Sequence, residues 1–519
     1  MWAARGSPRA GSRMTRSDGC ESALAASGSL AGVELDRDRC YEALRTRDRR
    51  FDGRFFVAVA TTGIYCRPIC PARLPLFRNV RFFSCAAAAE GAGFRACRRC
   101  RPESAPGTPA WLGSSAIVTR GLRLIHAGAL DEGDVDRLAA RLGVGARQLR
   151  RLFARHLGAS PAEIARARRV HFARLLIDRS DRPITELAFA AGFASVRQFN
   201  HAFRTSFGRA PRDVRRMRAG RSSHAGEGLA FRLSYRPPFD WDGLARFLAG
   251  RAISGVESVT AECYRRTIEQ HGTAGWIEVS VLAGEPALLL RVHAPPSADL
   301  LCLVERVRRI FDLDADPLAI HDALAPSTLL RPHIESRPGL RVPGAWDAFE
   351  LGVRAILGQQ VSVRGASTLA ARLVRAFGKP IEGAPAELSH LFPAPALLAD
   401  ADVASVGLPR ARAAAIRGFA GAIARGELVL DGARGLDDTV AQLAALPGLG
   451  SWTAQYVAMR ALGEPDAFPA GDLALRKALS SDGEPITAAR AEQLAAGFRP
   501  WRSYAAMALW QSLAARDTP

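Results

Sequence analysis

A carboxylate lies downstream of a glycine-containing turn in the C-terminal part of the chain. The turn is the stretch Leu446-Pro-Gly-Leu-Gly-Ser-Trp-Thr-Ala454, and the carboxylate is Asp472. Gly448 and Gly450 predict a tight hairpin between two helices, in which backbone N–H groups can approach a phosphate closely. Asp472 is a candidate catalytic anion. Because aspartate also caps helix N-termini, a purely structural role is the alternative.

Four cysteines make up a second candidate site. Their spacing is C-x3-C, then 26 intervening residues, then C-x2-C. Two cysteine pairs at such spacing can close a tetrahedral zinc site, and the spacing alone is typical of a structural zinc ribbon. The four residues are Cys66, Cys70, Cys97 and Cys100.

Arginines surround these cysteines in the sequence. Four thiolates on one zinc ion leave a net charge of about −2, so a ligand thiolate stays electron-rich and nucleophilic. These surroundings favour a reactive centre over a purely structural one. The arginines are Arg67, Arg73, Arg78, Arg81, Arg95, Arg98, Arg99 and Arg101.

Residues 35–105 resemble the N-terminal domain of the Ada family of methylphosphotriester acceptors. The match is carried by Phe55-Phe-Val-Ala-Val-Ala-Thr-Thr-Gly-Ile-Tyr-Cys-Arg-Pro and Ala92-Gly-Phe-Arg-Ala-Cys-Arg-Arg-Cys-Arg-Pro102. The resemblance implies that Cys66 is the methyl acceptor and that all four cysteines bind one Zn²⁺. Five further cysteines match no ligand position, and of these we interpret the last three as core residues: Cys20, Cys40, Cys85, Cys263 and Cys302.

Two helix-turn-helix patterns follow, at residues 135–153 and 184–203. In each, Gly143 or Gly192 makes the turn and an arginine-bearing helix comes next. An ordinary helical bundle is the alternative. The pair resembles the AraC-type DNA-binding domain, which implies two recognition helices in adjacent major grooves. The candidate DNA contacts are Arg147, Gln148, Arg151, Ser195, Arg197, Gln198 and Asn200.

The remainder of the chain begins with a short α+β pattern. Alternating residues predict strands at 231–235, 276–281 and 287–292, and a helix at 244–251. From about Phe231 onward, the chain resembles AlkA-type 3-methyladenine DNA glycosylase II, of the helix-hairpin-helix superfamily. The hairpin carries this match together with Tyr235-Arg-Pro-Pro-Phe-Asp-Trp, Asp347-Ala-Phe-Glu-Leu-Gly-Val-Arg-Ala-Ile-Leu-Gly-Gln-Gln-Val-Ser362 and Arg499-Pro-Trp-Arg-Ser-Tyr504.

This second resemblance implies that Asp472 stabilises positive charge on the sugar while an N-alkylated base leaves. Trp452 stands where related lyases carry a Schiff-base lysine, which implies a monofunctional enzyme. Two residues depart from the family: Gln360 replaces an apolar wedge, and Leu473 replaces a pocket tyrosine. The implied base-pocket residues are Trp452, Tyr456, Trp501, Phe247 and Gln359, and Gly448, Gly450 and Gln360 are implied DNA contacts.

Composition agrees with a nucleic-acid partner. The chain has 519 residues, enough for several domains, and a formal net charge of +20. Between residues 141 and 220, 18 arginines face 5 acidic residues. The sequence has no apolar run of membrane-spanning length and no signal-peptide pattern, so we expect a cytoplasmic protein associated with the bacterial nucleoid.

We predict a multidomain α+β fold. The expected parts are a disordered N-terminus (1–30), a zinc methyl-acceptor domain (31–108), an all-α AraC-type domain (109–220), a linker (221–228), a small antiparallel α+β domain (229–312) and an all-α helix-hairpin-helix domain (313–519).

We expect this protein to be a methylphosphotriester-sensing transcriptional activator fused to a DNA glycosylase. The alternative is a regulator whose C-terminal half is a catalytically silent DNA-binding module. The expected partners are double-stranded DNA, with its alkylated lesions, methylphosphotriesters and operator sites, and RNA polymerase.

Overall fold

The structure is a computed structural model that describes residues 35–106, 116–131, 133–180, 182–217, 229–270, 272–294, 299–480 and 484–516. The expected N-terminal lead-in at 1–30, the linkers at 108–110 and 221–228, and Cys20 lie outside these ranges. Within them, every helix is too short or too polar to span a lipid bilayer.

A small four-stranded sheet forms the first domain. Its strand order is β3-β1-β2-β4, with β4 parallel to β2 and the other pairs antiparallel. Residues of β1 and β3 alternate between two apolar cores on either side of the sheet: a small one within the domain, and a larger one shared with the helices of the second domain. The elements are α1 (Arg37–Arg45), β1 (Phe56–Val59), β2 (Ile64–Cys66), β3 (Val80–Phe83), α2 (Ala86–Gly91) and β4 (Arg95–Ala96).

Seven helices form the second domain and contain both helix-turn-helix motifs. Gly143 and Gly192 have φ of +72° and +79°, so each predicted turn has a glycine in the left-handed region. The long helix α6 begins with a capping box between Ser160 and Glu163 and joins the two motifs. The helices are α3 (Ala116–His126), α4 (Val135–Arg141), α5 (Ala146–Leu157), α6 (Pro161–Arg179), α7 (Ile184–Ala190), α8 (Val196–Phe207) and α9 (Pro211–Arg216).

A five-stranded antiparallel sheet of order β5-β9-β8-β7-β6 forms the third domain. The sequence predicted three of these strands. The predicted helix at 244–251 begins earlier, at Trp241, because the Asp240 side chain accepts from the Gly243 N–H and caps it. The elements are β5 (Leu229–Ser234), α10 (Trp241–Ala249), β6 (Glu257–Val259), β7 (Cys263–Gln270), β8 (Thr273–Val281) and β9 (Ala287–His293).

Helices make up the rest of the described chain and build two apolar cores. The multidomain α+β architecture is therefore as predicted. The helices are α11 (Leu300–Ile310), α12 (Pro317–Leu324), α13 (Arg331–Ser336), α14 (Ala348–Leu357), α15 (Val363–Phe377), α16 (Pro395–Asp400), α17 (Arg410–Ala424), α18 (Leu436–Ala444), α19 (Ser451–Arg460), α20 (Leu473–Ala478), α21 (Ala488–Ala495) and α22 (Arg502–Arg516).

The domains pack against one another through both apolar and charged contacts. Phe172 of α6 stacks on Phe231 of β5, with ring centroids 5.8 Å apart. Arg123 of α3 reaches the C-terminal end of α19, where its Nη1 donates to the carbonyls of Leu462 (2.7 Å) and Gly463 (3.0 Å) and its Nη2 pairs with Glu464 at 2.6 Å. A cation at this position also complements the helix dipole.

A buried polar cluster joins the first domain to the second. The Tyr65 hydroxyl donates to Glu90 Oε1 at 2.8 Å, and His171 Nε2 lies 2.9 Å from the same oxygen. The Ser206 hydroxyl of α8 donates to the other Glu90 oxygen at 3.1 Å. Burial lowers the pKa of His171, but the hydrogen bond and charge of Glu90 outweigh it and raise that pKa above its usual value.

Cysteine 85 belongs to this same interface. It is buried in the core shared by the two domains, and its Sγ lies 3.3 Å from the Leu157 carbonyl. Cys263 and Cys302, which we interpreted as core residues, are only half-buried. All eight described cysteines are free of disulfides.

Candidate active site and four-cysteine centre

The glycine-containing turn is a helical hairpin between α18 and α19. Gly448 has φ of +83°, and a Cβ there would lie 2.5 Å from the Ala415 Cβ, so the turn needs glycine both for its backbone and for its contact with α17. Gly450 is the N-cap of α19 and has no side chain to cap the first turn. The N–H groups of that turn are therefore suited to an anion such as phosphate.

Gln359 braces the hairpin. Its side-chain amide donates to the Gly448 carbonyl at 2.9 Å and to the Thr453 hydroxyl at 3.0 Å. Its own carbonyl accepts from Arg412. The side chain that the resemblance placed near the lesion thus contacts the hairpin itself.

Three N–H donors hold the Asp472 carboxylate. Its Oδ1 accepts from the Leu475 N–H and from the Trp510 indole, and its Oδ2 accepts from the Trp452 indole, all at 3.0 Å. Asp472 is therefore the N-cap of α20, as the structural alternative required, and is also fixed by two indoles. Hydrogen bonds to an ionised acceptor are stronger than neutral ones, so this arrangement fixes the direction of a negative charge.

A cavity of about 270 Å³ opens beside this carboxylate. Trp452 and Tyr456 form one wall, stacked with centroids 5.4 Å apart and planes 9° from parallel. Trp510 meets Tyr456 edge to face at 6.2 Å. Aromatic faces beside an anion suit a flat, cationic guest, because the faces bind cations and the carboxylate balances their charge.

Three arginines, Arg251, Arg354 and Arg460, complete the inner wall. Arg460 Nη1 donates to the Tyr456 hydroxyl at 2.7 Å, and Arg251 also lines the cavity. Burial raises the pKa of the Tyr456 hydroxyl, but Arg460 and Arg251 outweigh it and hold that pKa below its usual value. The sequence analysis selected none of them. For Arg460 the available signal was its position four residues after Tyr456, on the same face of α19. Arg251 lies beyond the end of α10, where helical spacing gives no such signal.

Two predicted pocket aromatics do not line this cavity. Trp501 is buried and packs edge to face on Tyr504, with centroids 5.5 Å apart. Phe247 is buried beneath the cavity, between Arg251 at 3.7 Å and Arg460 at 4.9 Å. Phe247 therefore affects the cavity by packing against two of the arginines that line it. Trp510, which the sequence analysis missed, provides the third aromatic side chain of the wall.

The two departures from the family pattern lie on the surface. Gln360 is exposed just beyond the end of α14, with φ of +57°. Val361 and Val363 beside it are 38% and 45% exposed, so an apolar rim flanks the glutamine. Leu473 is 56% exposed and does not line the cavity.

The four predicted zinc ligands meet in the first domain. Cys66 is the last residue of β2, and the four cysteine Sγ atoms all lie within 4.8 Å of one another. Thiolates this close fit the tetrahedral arrangement that zinc requires. Cys66 is half-buried, whereas Cys70, Cys97 and Cys100 are 5–9% exposed. Cys66 is thus the most accessible sulfur of the set.

A cationic groove lies beside Cys66. Its volume is about 240 Å³, and Arg45, Arg47 and Arg73 line it together with Cys66 and Cys70. On the inner side, the Arg67 N–H donates to Cys100 Sγ at 3.3 Å, and its guanidinium pairs with Asp52, with Nε 2.9 Å from Oδ1. The accessible sulfur therefore faces cations suited to a phosphate backbone.

The helix-turn-helix candidates lie on the second helix of each motif. Arg147, Gln148 and Arg151 are exposed on α5. On α8, Arg197 and Gln198 are exposed and Asn200 is half-buried, while Ser195 caps the helix by accepting from the Gln198 N–H at 3.2 Å. Each set therefore presents a polar strip, of the kind that enters a major groove.

These sites define a class of protein: a zinc-binding, helix-turn-helix transcription regulator joined to a DNA glycosylase. Four family models match the chain in this order: "Metal binding domain of Ada" at residues 39–103, "Helix-turn-helix domain" at 138–217, "AlkA N-terminal domain" at 230–347 and "HhH-GPD superfamily base excision DNA repair protein" at 353–502. One Zn²⁺ is therefore held by Cys66, Cys70, Cys97 and Cys100.

A relative from Mycobacterium tuberculosis matches nearly the whole chain. It is named "Probable bifunctional transcriptional activator/DNA repair enzyme AlkA" and is 44% identical over 481 residues, which is 92% of this chain and 97% of the relative. The chain belongs to this family of bifunctional transcriptional activator/DNA repair enzymes.

Other relatives match one half. "DNA-3-methyladenine glycosylase 2" of Escherichia coli is 34% identical and covers 54% of this chain and 96% of its own length. Among solved structures, a "3-methyladenine dna-glycosylase from Archaeoglobus fulgidus" has a TM-score of 0.49 at 22% identity, over 56% of this chain and all of that one.

Proposed function

We propose that the C-terminal half is a monofunctional DNA glycosylase that releases N-alkylated bases such as 3-methyladenine. The observation that carries this proposal is the Asp472 carboxylate, held by two indoles at the edge of an aromatic cavity. An N-alkylated purine is already cationic, so it leaves with little acid assistance. It needs a site that holds the extruded base and an anion near the sugar.

Asp472 supplies this anion. As the glycosidic bond breaks, positive charge develops on the sugar, and a fixed carboxylate stabilises it without reorganising. Trp452 and Tyr456 would stack on the base, and Gln360 with its valine neighbours would fill the space that the base leaves in the duplex. Phosphates flanking the lesion would bind at the N-terminus of α19, with Gly448 and Gly450 allowing their approach.

The reaction ends at an abasic site. Trp452 occupies the position at which a lysine would form a Schiff base, and its indole N–H is engaged by Asp472. Among the described residues that line the cavity, the basic ones are arginines rather than lysines. Arginine stays protonated and is not a nucleophile, so water is left as the attacking group.

We also propose that the N-terminal half senses DNA methylphosphotriesters. The Cys66 thiolate attacks the methyl carbon of a neutral triester, the methyl carbon–oxygen bond breaks, and a phosphodiester anion leaves while Cys66 becomes a thioether. Zinc keeps the four thiolates deprotonated at neutral pH. The cationic groove of Arg45, Arg47 and Arg73 would hold the phosphates on either side.

Methyl transfer changes the charge of the centre from about −2 to about −1, so its repulsion from DNA falls. At close range one unit of charge contributes roughly 1–4 kcal/mol, which allows about tenfold tighter operator binding or more. The polar strips of α5 and α8 would then select the operator, and the bound protein would recruit RNA polymerase. A thioether is a poor leaving group, so the transfer is irreversible.

One experiment tests both halves. The full chain is incubated with methylated duplex DNA, released bases are separated by chromatography, and the protein is digested for peptide mass analysis. We expect free 3-methyladenine and one added methyl group on Cys66. Absence of any released base would favour the silent DNA-binding module, and a methyl group on another cysteine would overturn the sensor assignment.

The proposed division of the chain is 31–108, 109–220, 229–312 and 313–519 for the four domains. The helix-turn-helix contacts fall in the second domain and the catalytic carboxylate in the fourth. Limited proteolysis with mass analysis of the fragments would test these boundaries, because fragments that resist further cleavage should begin and end close to them.

A further inference from the structure

The zinc domain touches the glycosylase half directly, through residues 52–54. Arg54 Nε lies 3.0 Å from Asp316 Oδ2, just before α12. Gly53 has φ of +74°, and a Cβ there would lie 2.2 Å from the Pro106 carbonyl oxygen and 3.1 Å from Arg236 Nη2. Gly53 is therefore packed tightly against Pro106 of its own domain and lies directly beside the Arg236 guanidinium of the third domain.

The part of the glycosylase half that contacts residues 52–54 is buried and charged. Arg236 is fully buried, and its Nη1 donates to the Asp314 carbonyl at 2.7 Å. Burial lowers the pKa of Arg236 to about 10, against the opposing effect of nearby carboxylates that include Asp316 and Asp52. Asp52 of the zinc domain thus contributes to the electrostatic balance of a cation that belongs to the glycosylase half.

The same aspartate is tied to the zinc centre. Asp52 is 4% exposed and pairs with the Arg67 guanidinium. Arg67 follows Cys66 directly, its N–H donates to Cys100 Sγ, and its Nη1 donates to the Cys100 carbonyl at 3.2 Å. Alternating charges therefore run from the thiolates through Arg67, Asp52 and Arg236 into the glycosylase half.

We propose that residues 52–54 dock the zinc domain on the glycosylase half, and that this docking weakens when the four-cysteine centre loses one negative charge. Arg67 interacts with both the thiolates and Asp52. When the centre is less negative, more of the Arg67 charge is available to neutralise Asp52. Asp52 then attracts Arg236 less strongly. The centre's own attraction for Arg236 of the third domain also falls, in the same direction. The second part of the proposal rests on the proposed methyl transfer to Cys66.

Amide hydrogen exchange of the full chain tests the docking. Arg54→Glu places two carboxylates together at Asp316, and we expect several-fold faster exchange in peptides covering 312–324. The matched control is Arg49→Glu, which makes the same charge change at an exposed position on the same segment. If Arg54→Glu exchanges like the wild type, the docking is overturned.

A second set of variants tests whether the charge of the four-cysteine centre controls the docking. Cys66→Ala removes one thiolate and so produces the charge of the methylated centre without any methyl transfer. We expect this variant, checked by mass spectrometry for one bound zinc, and the methylated wild type to exchange faster at 312–324. Arg67→Gln should reduce the difference, because the route through Arg67 and Asp52 is then lost and only the direct attraction of the centre for Arg236 remains. Unchanged exchange in zinc-loaded Cys66→Ala would overturn the coupling, whereas absence of methyl on the wild type would overturn only the proposed sensor function.

Discussion

The Trp510 indole nitrogen lies 3.0 Å from Asp472 Oδ1, although 38 positions separate the two residues in the chain. This contact brings the last described helix to the hairpin domain's carboxylate. Together with Trp452 on the other oxygen, it leaves the anion only a narrow range of orientations. The first two predictions follow from this geometry.

Replacing Asp472 with asparagine should remove the anion and keep the shape of the site. We expect base release to fall by at least about 10²–10³-fold, because the developing positive charge loses its stabilising partner. Binding to abasic DNA should persist. Release of 3-methyladenine is measured against Asp437→Asn, an exposed aspartate on α18. Near-normal release by Asp472→Asn would refute the assignment.

Trp510→Phe should keep an aromatic wall and remove one donor to Asp472. A hydrogen bond to a charged acceptor contributes about 1.5–3 kcal/mol, so we expect a loss of roughly tenfold to a hundredfold in single-turnover rate. Trp276→Phe, in the β8 strand of the third domain, is the control. Equal rates for the two variants would show that the Trp510 indole does not position the carboxylate.

Borohydride trapping tests the absence of lyase chemistry. The wild type should form no covalent adduct with abasic DNA, because an arginine-lined cavity offers no amine for a Schiff base. A glycosylase known to form such adducts serves as the positive control. A trapped adduct that maps to residues 313–516 would reveal an amine nucleophile and contradict the monofunctional assignment.

The Glu90–His171 pair predicts a pH dependence of the packing between the zinc and helix-turn-helix domains. The pKa of His171 lies above its usual 6.5 and that of Glu90 below its usual 4.5. The pair therefore stabilises the fold most between these two usual values, and its contribution is lost as pH rises through the folded-state pKa of His171.

We therefore expect the wild-type unfolding temperature to fall between pH 6.5 and 8.5 by more than that of His171→Gln. Circular dichroism on heating measures this temperature, and His201→Gln, at an exposed position of α8, is the control. Parallel pH profiles for wild type and His171→Gln would show that the pair does not affect folding stability.

The zinc centre could be predicted from sequence because its ligands come in two short pairs, each of which is positioned locally. The cavity could be predicted only in part. Trp501 directly precedes α22 and packs on Tyr504, whereas Trp510 lies nine positions later, within α22, and contacts Asp472. Sequence motifs led to Trp501, whereas the packing of α22 against α20 selects Trp510.

Strands β6 and β7 escaped prediction for a different reason. Arg266 of β7 is 2% exposed and pairs with Glu350 at 2.7 Å, while Glu257 of β6 is buried and accepts from the Tyr264 hydroxyl. Because charged residues lie on the buried face of these strands, their sequences lack the alternation of apolar and polar residues that predicts a half-buried strand. Only their tertiary partners, which lie far along the chain, allow such charges to be buried.

The contact of Arg123 with the end of α19 has an evolutionary consequence. An exchange of one half alone would separate Glu464 and the Leu462 and Gly463 carbonyls from the arginine that they contact. A regulator half taken from another protein would need an arginine at position 123, because otherwise the Glu464 carboxylate would lose this cation. Selection on one half therefore acts on the other, and we expect the residues at positions 123 and 464 to be inherited together.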